Sequence, residues 1–367
     1  MSNLGEKVER FTGGQEIGVD VSALERELAA LWRQAGEREH AVVRACLWNL
    51  IFRADGDEVF TRAKALIDAI APACPARVLV LRADAPGGGP ELEAWISANC
   101  HVAPGGGKLL CSEELTLQSR GRGQERLPSL VRSLLVPDVP TALIWAGAPP
   151  RDAARVEPLL EGVDRMIIDT GDLASDLELT NLAQLARIAA EVELADLGWL
   201  RLGPVRLLLA SFFDPPVGAE PLLKARRVHL DCAHHGAATA VLLLGWLANA
   251  LDWGRPEPLK GGAARTWRVP RPDGQVLLEV GVRDVDAGRD GIYELLIESE
   301  GGGRFSITDA GPHALELRGT GLPTRVLAAP ERPDAELLVA ALGVRGRDPL
   351  FCHALACAAE LEEQGQP

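Results

Sequence analysis

Short apolar runs recur through the first half of this chain, interspersed with stretches whose apolar residues fall at helical spacing. Ala41 to Phe52 contains VVRACLWNLIF, Ala76 to Leu81 reads ARVLVL, Thr141 to Trp145 reads TALIW and Arg165 to Asp169 reads RMIID. Runs this short, bounded by turn residues, are strands buried on both faces. The stretches between them carry helix signals. Ser22 and Glu25 have capping-box spacing ahead of Leu24, Leu28, Leu31, Trp32 and Ala35 on one face. Asp57 to Ile70 keeps the helical period, and Glu125 to Val136 aligns Leu127, Leu130, Val131, Leu134 and Leu135, with Pro128 tolerated in the first turn. Ser175 can cap a helix from Asp176 to about Glu193, where Asp176 and Glu178 suit the positive end of the dipole. Two further strands, Trp95–Val102 and Leu109–Ser119, flank Pro104-Gly105-Gly106-Gly107 and read as a hairpin. Strands alternating with helices require an α/β layer with a largely parallel sheet, because parallel neighbours need a crossover between them.

The second half changes character. A helix near Pro204–Phe213, a strand at Arg227–Leu230 and an apolar helix from Thr239 to Trp253 precede five expected strands. These are Thr266–Val269, Val276–Arg283, Ile292–Glu298, Arg304–Asp309 and Ala314–Arg318, with turns such as Pro272-Asp273-Gly274 and Gly301-Gly302-Gly303 between them. Helices over Asp334–Leu342 and Pro349–Glu363 close the chain. The expected organisation is a flexible N-terminus over residues 1–19, an α/β domain over 20–196 and an α+β domain with an antiparallel meander over 197–367.

Charge and composition exclude several classes of function. With 38 basic against 52 acidic side chains, the net charge of −14 argues against nucleic acid and anionic membrane as partners. The 47% hydrophobic content excludes a disordered protein. The longest apolar run, Ala237 to Leu251, is too short to span a bilayer and is broken by Thr239, Gly245 and Asn249. Met1 to Gly18 lacks the apolar core of a signal peptide, and seven cysteines without framework spacing read as reduced thiols. A cytoplasmic protein is expected.

Chemical motifs are few. Gly107-Lys108 would end a phosphate-binding loop, but Val102 stands at its first glycine position and Leu109 at its hydroxyl position. Every G-x-G-x-x-G candidate fails at its third glycine, and there is no G-x-S-x-G or C-x-x-C. No catalytic residue, cofactor cradle or metal site is therefore assigned. The most concentrated polar cluster is His229, Asp231 and His235, at a strand end before a helix. On a strand, His229 and Asp231 share a face, as metal ligands or a catalytic pair would. The competing reading, a polar strand-end junction, is preferred because no second ligand cluster accompanies it. Cys100 and Cys111 flank the glycine-rich turn and could face each other, as a redox clip or as ordinary buried thiols. The acidic pairs Glu113-Glu114, Glu362-Glu363 and Asp284/Asp286 read as solvated faces.

Several stretches match something more specific. They are RACLWNLI from Arg44, CSEEL from Cys111, LPSLVRSLLVPDVPTALIW from Leu127 and DRMIID from Asp164. DLGWLRLGPVRLLLASFFD from Asp196, then Gly245-Trp246-Leu247-Ala248 with Leu251-Asp252-Trp253, complete the set. In this order they resemble the glucose-6-phosphate dehydrogenase assembly protein family, OpcA, from about residue 20 to 320. The resemblance implies a non-catalytic partner that binds glucose-6-phosphate dehydrogenase, favours its active oligomer and raises its activity in the pentose phosphate pathway. The family commonly reads W-x-R-L-x-P-W-R where this chain has Trp199 to Arg206, so Val205 replaces its second Trp. Trp199, Arg201, Arg206, Phe212 and Phe213 are the interface candidates, since Trp and Arg are enriched at binding hot spots. Packing of these aromatics in a core is the competing reading. Two other functions remain open at this stage. One is an α/β enzyme or binding protein for a sugar phosphate or nucleotide, using Arg53, Arg82 and Asp169 near strand ends. The other is a metal hydrolase built on His229, Asp231 and His235.

Overall fold

The computed structural model describes residues 9–12, 21–38, 42–83, 91–102, 109–148, 155–173, 177–188, 191–214, 217–259, 264–283 and 291–364. Most of the stretch 1–19, the glycine-rich turn and the Asp284/Asp286 pair lie outside them. Through Asp196 the elements are β1 (Glu9–Thr12), α1 (Val21–Arg38), β2 (Val42–Arg44), β3 (Trp48–Ala54), α2 (Asp57–Ile70), β4 (Ala76–Arg82) and β5 (Leu92–Val102). There follow β6 (Leu109–Ser119), α3 (Gly123–Leu134), β7 (Thr141–Ala146), α4 (Glu157–Leu160), β8 (Arg165–Ile168), α5 (Leu177–Ile188) and β9 (Glu193–Asp196). The nine strands form one sheet in the order β1-β5-β6-β4-β3-β7-β8-β9, with β2 also on β6. β6, β4, β3, β7 and β8 pair in parallel, as the alternation of strand and helix demands, while β5 and β1 add an antiparallel edge.

Two expectations need correction here. The run Ala41–Phe52 is not one strand. β2 pairs with the start of β6, and the chain then steps across to place β3 beside β4. The step exposes Leu47, 59% of whose surface is open. The helix expected to run to Glu193 ends at Ile188, and Glu193–Asp196 is the strand β9. Only Leu194 and Asp196 of its four residues are buried, so it gives little apolar signal.

Three members of the acidic pairs, Glu113, Glu114 and Glu362, also depart from the solvated reading. Glu113 and Glu114 are each 3% exposed. Successive residues on β6 point to opposite faces, and both faces are occupied. Glu113 meets Arg77 at 2.7 Å, and Arg77 also bonds Glu25 at 2.8 Å and the Leu134 carbonyl at 2.8 Å. Glu114 pairs with Lys64 of α2 on the other face. Glu362 is buried too, accepting from the Thr180 amide at 2.7 Å. Cys100 and Cys111 stand directly opposite each other in the β5–β6 register, and Cys111 is disulfide-bonded.

Beyond Asp196 come α6 (Leu197–Arg201), α7 (Gly203–Phe212), α8 (Glu220–Leu223), β10 (Ala225–Ala233), α9 (Ala237–Ala250), β11 (Glu257–Pro258) and β12 (Arg265–Arg271). The chain continues through β13 (Gly274–Arg283), β14 (Ile292–Ser299), β15 (Arg304–Asp309), β16 (Ala314–Gly319), β17 (Arg325–Ala328), α10 (Asp334–Gly343) and α11 (Pro349–Gln364). The eight strands order β11-β12-β13-β10-β14-β15-β16-β17. β14 to β17 make the antiparallel meander, and β10 alone pairs in parallel, with β13. One face is apolar, with Val228, Leu230, Leu278, Val280, Leu295 and Ile297 buried. Trp267 is fully buried and donates its indole N–H to the Leu361 carbonyl at 2.7 Å.

The chain divides into two compact units. One comprises residues 1–168, 189–194 and 334–344, the other 169–188, 195–333 and 345–367. α10 thus belongs to the first unit although its sequence neighbours on both sides belong to the second. Arg165, 4% exposed, bonds the Leu342 carbonyl at 3.2 Å and also the Ala341 carbonyl, a cation where the helix dipole is negative.

Candidate functional site

The stretch from Asp196 to Asp214, which carried the interface candidates, is built from its first residue outward. Asp196 is 1% exposed and accepts four hydrogen bonds. The donors are the Thr170 amide at 2.8 Å, the Thr170 hydroxyl at 2.9 Å, and the amides of Gly198 at 3.2 Å and Trp199 at 2.9 Å. The last two are the orphan donors of the α6 N-terminus, so Asp196 is its N-cap. Burial, then the charge of Asp169, pushes its pKa up to about 6 against the pull of those donors. Only glycine fits at 198, because a Cβ there would stand 2.0 Å from the Thr170 hydroxyl.

This anchor turns Trp199 inward. The indole is 2% exposed, donates to Asp348 at 2.7 Å and lies 5.7 Å from the Phe351 ring. Arg206 stacks on its outer face at 3.4 Å and reaches back to the Trp199 carbonyl at 3.2 Å. Burial lowers the Arg206 pKa, and Asp348 opposes the shift. Arg201 makes a two-point ion pair with Asp169, both contacts at 2.6 Å. Phe212 and Phe213 close an aromatic cluster with Phe305, at 5.6 Å and 5.1 Å. Trp199 and Phe213 are therefore buried, and Arg201, Arg206 and Phe212 are partly covered.

The outward side of α7 holds what those candidates omit. Leu207 is 70% exposed, with Ala210 and Ser211 also on the surface. Arg206 is the sole charged residue from Gly203 to Phe213. The sequence carried a signal for this. Leu207, Leu208 and Leu209 are consecutive, and at about 100° per residue they cannot all face one core.

The His229 cluster lies on the polar face of the second sheet. His229 stands 3.2 Å from Glu279 and 3.3 Å from Asp231, while Arg227 meets Glu279 at 2.5 Å and Arg283 pairs with Asp231. His235 is exposed on the turn after β10 and takes no part in these pairs. Both carboxylates are already matched by arginine, which makes this a cross-strand ion-pair ladder. Among the described residues, no group of three or more His, Cys, Asp or Glu side chains is placed to hold a metal ion.

The strand order poses a further chemical test. Counted from β3 and leaving out β5, the strands β3, β4, β6, β7, β8 and β9 lie in the order third, second, first, fourth, fifth, sixth. That is the doubly wound order of dinucleotide-binding folds, in which pyrophosphate sits at the turn after the first strand. Here that turn reads Ala54-Asp55-Gly56-Asp57, and α2 opens with Asp57 and Glu58. Carboxylates satisfy the helix dipole where the phosphates would, and repel them. Arg53 is held by Asp55 at 2.8 Å, and Arg82 pairs with Asp57. These residues do not fit a dinucleotide.

Residues 67–187 match the family described as the glucose-6-phosphate dehydrogenase subunit N-terminal domain, and residues 192–355 match the corresponding C-terminal domain. A relative in Synechocystis sp., described as an OxPP cycle protein OpcA, is 29% identical over 190 residues, 51% of this chain and 39% of that protein. Another in Synechococcus elongatus, described likewise, is 30% identical over 193 residues, 52% of this chain and 43% of that protein. The matched stretch thus spans less than half the length of either relative. A solved structure of the 3-ketoreductase KijD10 from Actinomadura kijaniata aligns with 86% of this chain and 95% of its own. Its TM-score of 0.49 and identity of 10% are too low to bear on function.

Proposed function

Since the chain belongs to the OpcA family of glucose-6-phosphate dehydrogenase subunit proteins, we propose that it is a non-catalytic assembly factor for that dehydrogenase. On this reading it binds the enzyme in the cytoplasm and favours its active oligomer. The observation that carries it is the succession of both family domains along one chain. The uncharged outward side of α7 supports it, because interface cores are depleted of charge. Trp199, Arg201, Arg206, Phe212 and Phe213 serve the interface by fixing the pose of α7, and Leu207 supplies contact.

Such a factor needs no catalytic residue of its own. It must bind one state of the enzyme more tightly than the other, and a tenfold preference corresponds to about 1.4 kcal/mol. The test mixes the purified chain with glucose-6-phosphate dehydrogenase from the same organism. Light scattering reads the size, and initial rates are taken at subsaturating substrate. A stable complex with a changed enzyme oligomer and a raised rate is the expected result; no complex and no change in rate would overturn the proposal.

A further inference from the structure

A cleft of about 290 Å³ lies in the first unit, on the side of its sheet that carries α2. Trp95 and Ser97 of β5 line it together with Glu114, Thr116 and Gln118 of β6. Phe60 and Lys64 of α2 and Arg82 at the end of β4 complete the walls. The strand register fixes the order of these groups. Ser97 stands beside Glu114, Trp95 beside Thr116 and Glu93 beside Gln118, so alternate residues of both strands share this face. Ser97 and Gln118 thus occupy rows on either side of Trp95 and Thr116. Both are more than nine-tenths buried, at 6% and 9% exposed. Among the described residues neither side chain makes a hydrogen bond, and their polar atoms are not sealed off from the cleft.

The charges that line the cleft are already matched. Lys64 pairs with Glu114, while the Arg82 guanidinium lies over the Phe60 ring at 4.5 Å and pairs with Asp57. A charged ligand would enter without a counter-charge and lose its hydration. The groups left to bind are neutral and of both kinds. Gln118 carries a carbonyl acceptor and an amide donor, and the Ser97 hydroxyl both donates and accepts. Thr116 donates to Glu114 at 3.4 Å and keeps lone pairs with which to accept. An apolar ligand would leave these groups dry and unpaired, which is costly. Hydroxyl groups answer donor and acceptor alike. Polar side chains in the rows to either side of Trp95 ask for hydroxyls on opposite edges of one ligand. Phe60 and Trp95 add apolar surface, which suits the C–H faces of a ring. We propose that this cleft binds a neutral polyhydroxylated ring of monosaccharide size, a sugar or cyclic polyol without phosphate or carboxylate.

The proposal goes beyond assembly and is tested on the full chain without the dehydrogenase, so its outcome is separate from that of the mixing experiment. Calorimetric titrations at constant ionic strength use glucose and myo-inositol as neutral rings, glucose 6-phosphate as a charged one and uracil as a flat base without hydroxyls. At least one neutral ring should bind at a single site. Glucose 6-phosphate and uracil should bind at least about fivefold more weakly than that ring, the lower scale of one buried group left unpaired. Gln118→Leu keeps every charge and should weaken the binding about fivefold or more. Ser97→Ala removes one hydroxyl, should weaken it about twofold or more, and keeps the question decidable if Gln118→Leu fails to fold. The proposal is overturned if neither neutral ring binds at millimolar concentration, or if glucose 6-phosphate or uracil binds as tightly. Folded variants that bind like the parent chain would also overturn it.

Discussion

At the scale of single residues, Asp196 sets a trade between charge and hydrogen bonding. Its folded pKa of about 6 lies above the ordinary 3.8, so the folded state holds the proton more tightly than the unfolded chain. Its contribution to stability is greatest below pH 4, is lost as pH rises toward 6 and stays lost above it. Asp196→Asn removes the titration but puts an amide nitrogen among N–H donors. We expect the variant to be less stable at pH 7 by about 1–3 kcal/mol. Its deficit should widen as pH falls from 7 to 5, since only the parent gains a proton. Urea unfolding at several pH values measures both; a deficit independent of pH would rule out the shifted carboxyl. Trp199 gives a second residue-scale prediction. Trp199→Ala should cost about 3–5 kcal/mol, the range for emptying a large aromatic site, and Trp199→Phe much less. The Phe variant keeps the packing on Phe351 and loses the bond to Asp348. Denaturant midpoints for the two variants rank the contributions. If Trp199→Ala instead left stability unchanged and weakened only the complex, the indole would be an interface group after all.

At the scale of elements, α9 and α7 show opposite uses of an apolar helix. α9 is buried from Ala238 to Gly245, and α11 crosses it so closely that a Cβ on Gly245 would lie 2.4 Å from the Ala354 carbonyl oxygen. Gly245→Ala should therefore destabilise by about 1–3 kcal/mol through overpacking, although alanine is the better helix former. A rise in melting temperature would show that the two helices can separate. α7 has one side on the second sheet, where Leu209 and Phe212 face Leu295, Ile297 and Phe305, and leaves Leu207 outside. Leu207→Glu should keep stability within about 0.5 kcal/mol, the usual range for an exposed position. In the mixing experiment it should weaken the complex about tenfold or more by placing a charge in a desolvated contact. An unchanged affinity would move the interface off this helix. Both helices read as apolar in the sequence, and burial on every side differs from burial on one only by what packs against them.

At the scale of the whole molecule, the −14 charge excluded nucleic acid and anionic membrane as expected partners, and many of the charges prove to be spent internally. Arg77 with Glu113, Lys64 with Glu114, Arg165 with Glu193 and Arg201 with Asp169 are all largely buried pairs. None was readable as a pair, because each joins residues brought together by the sheet or a crossover rather than by helical spacing. The fold class was readable. Periodicity and turn residues are local, and the alternation of runs such as ARVLVL and TALIW with amphipathic stretches admits little besides a parallel α/β sheet. The meander of the second half was legible for the same reason. The order of segments from Arg44 to Trp253 carried the family. Three features were left to tertiary structure: the step from β2 to β3, the strand β9 and the placement of α10 in the first unit. Each depends on which surfaces meet across long separations in the chain, and burial of those surfaces is a property of the assembled fold. The sequence determined what kind of layers this protein builds. Only the packed structure decided that Trp199 turns inward and that Leu207 faces out.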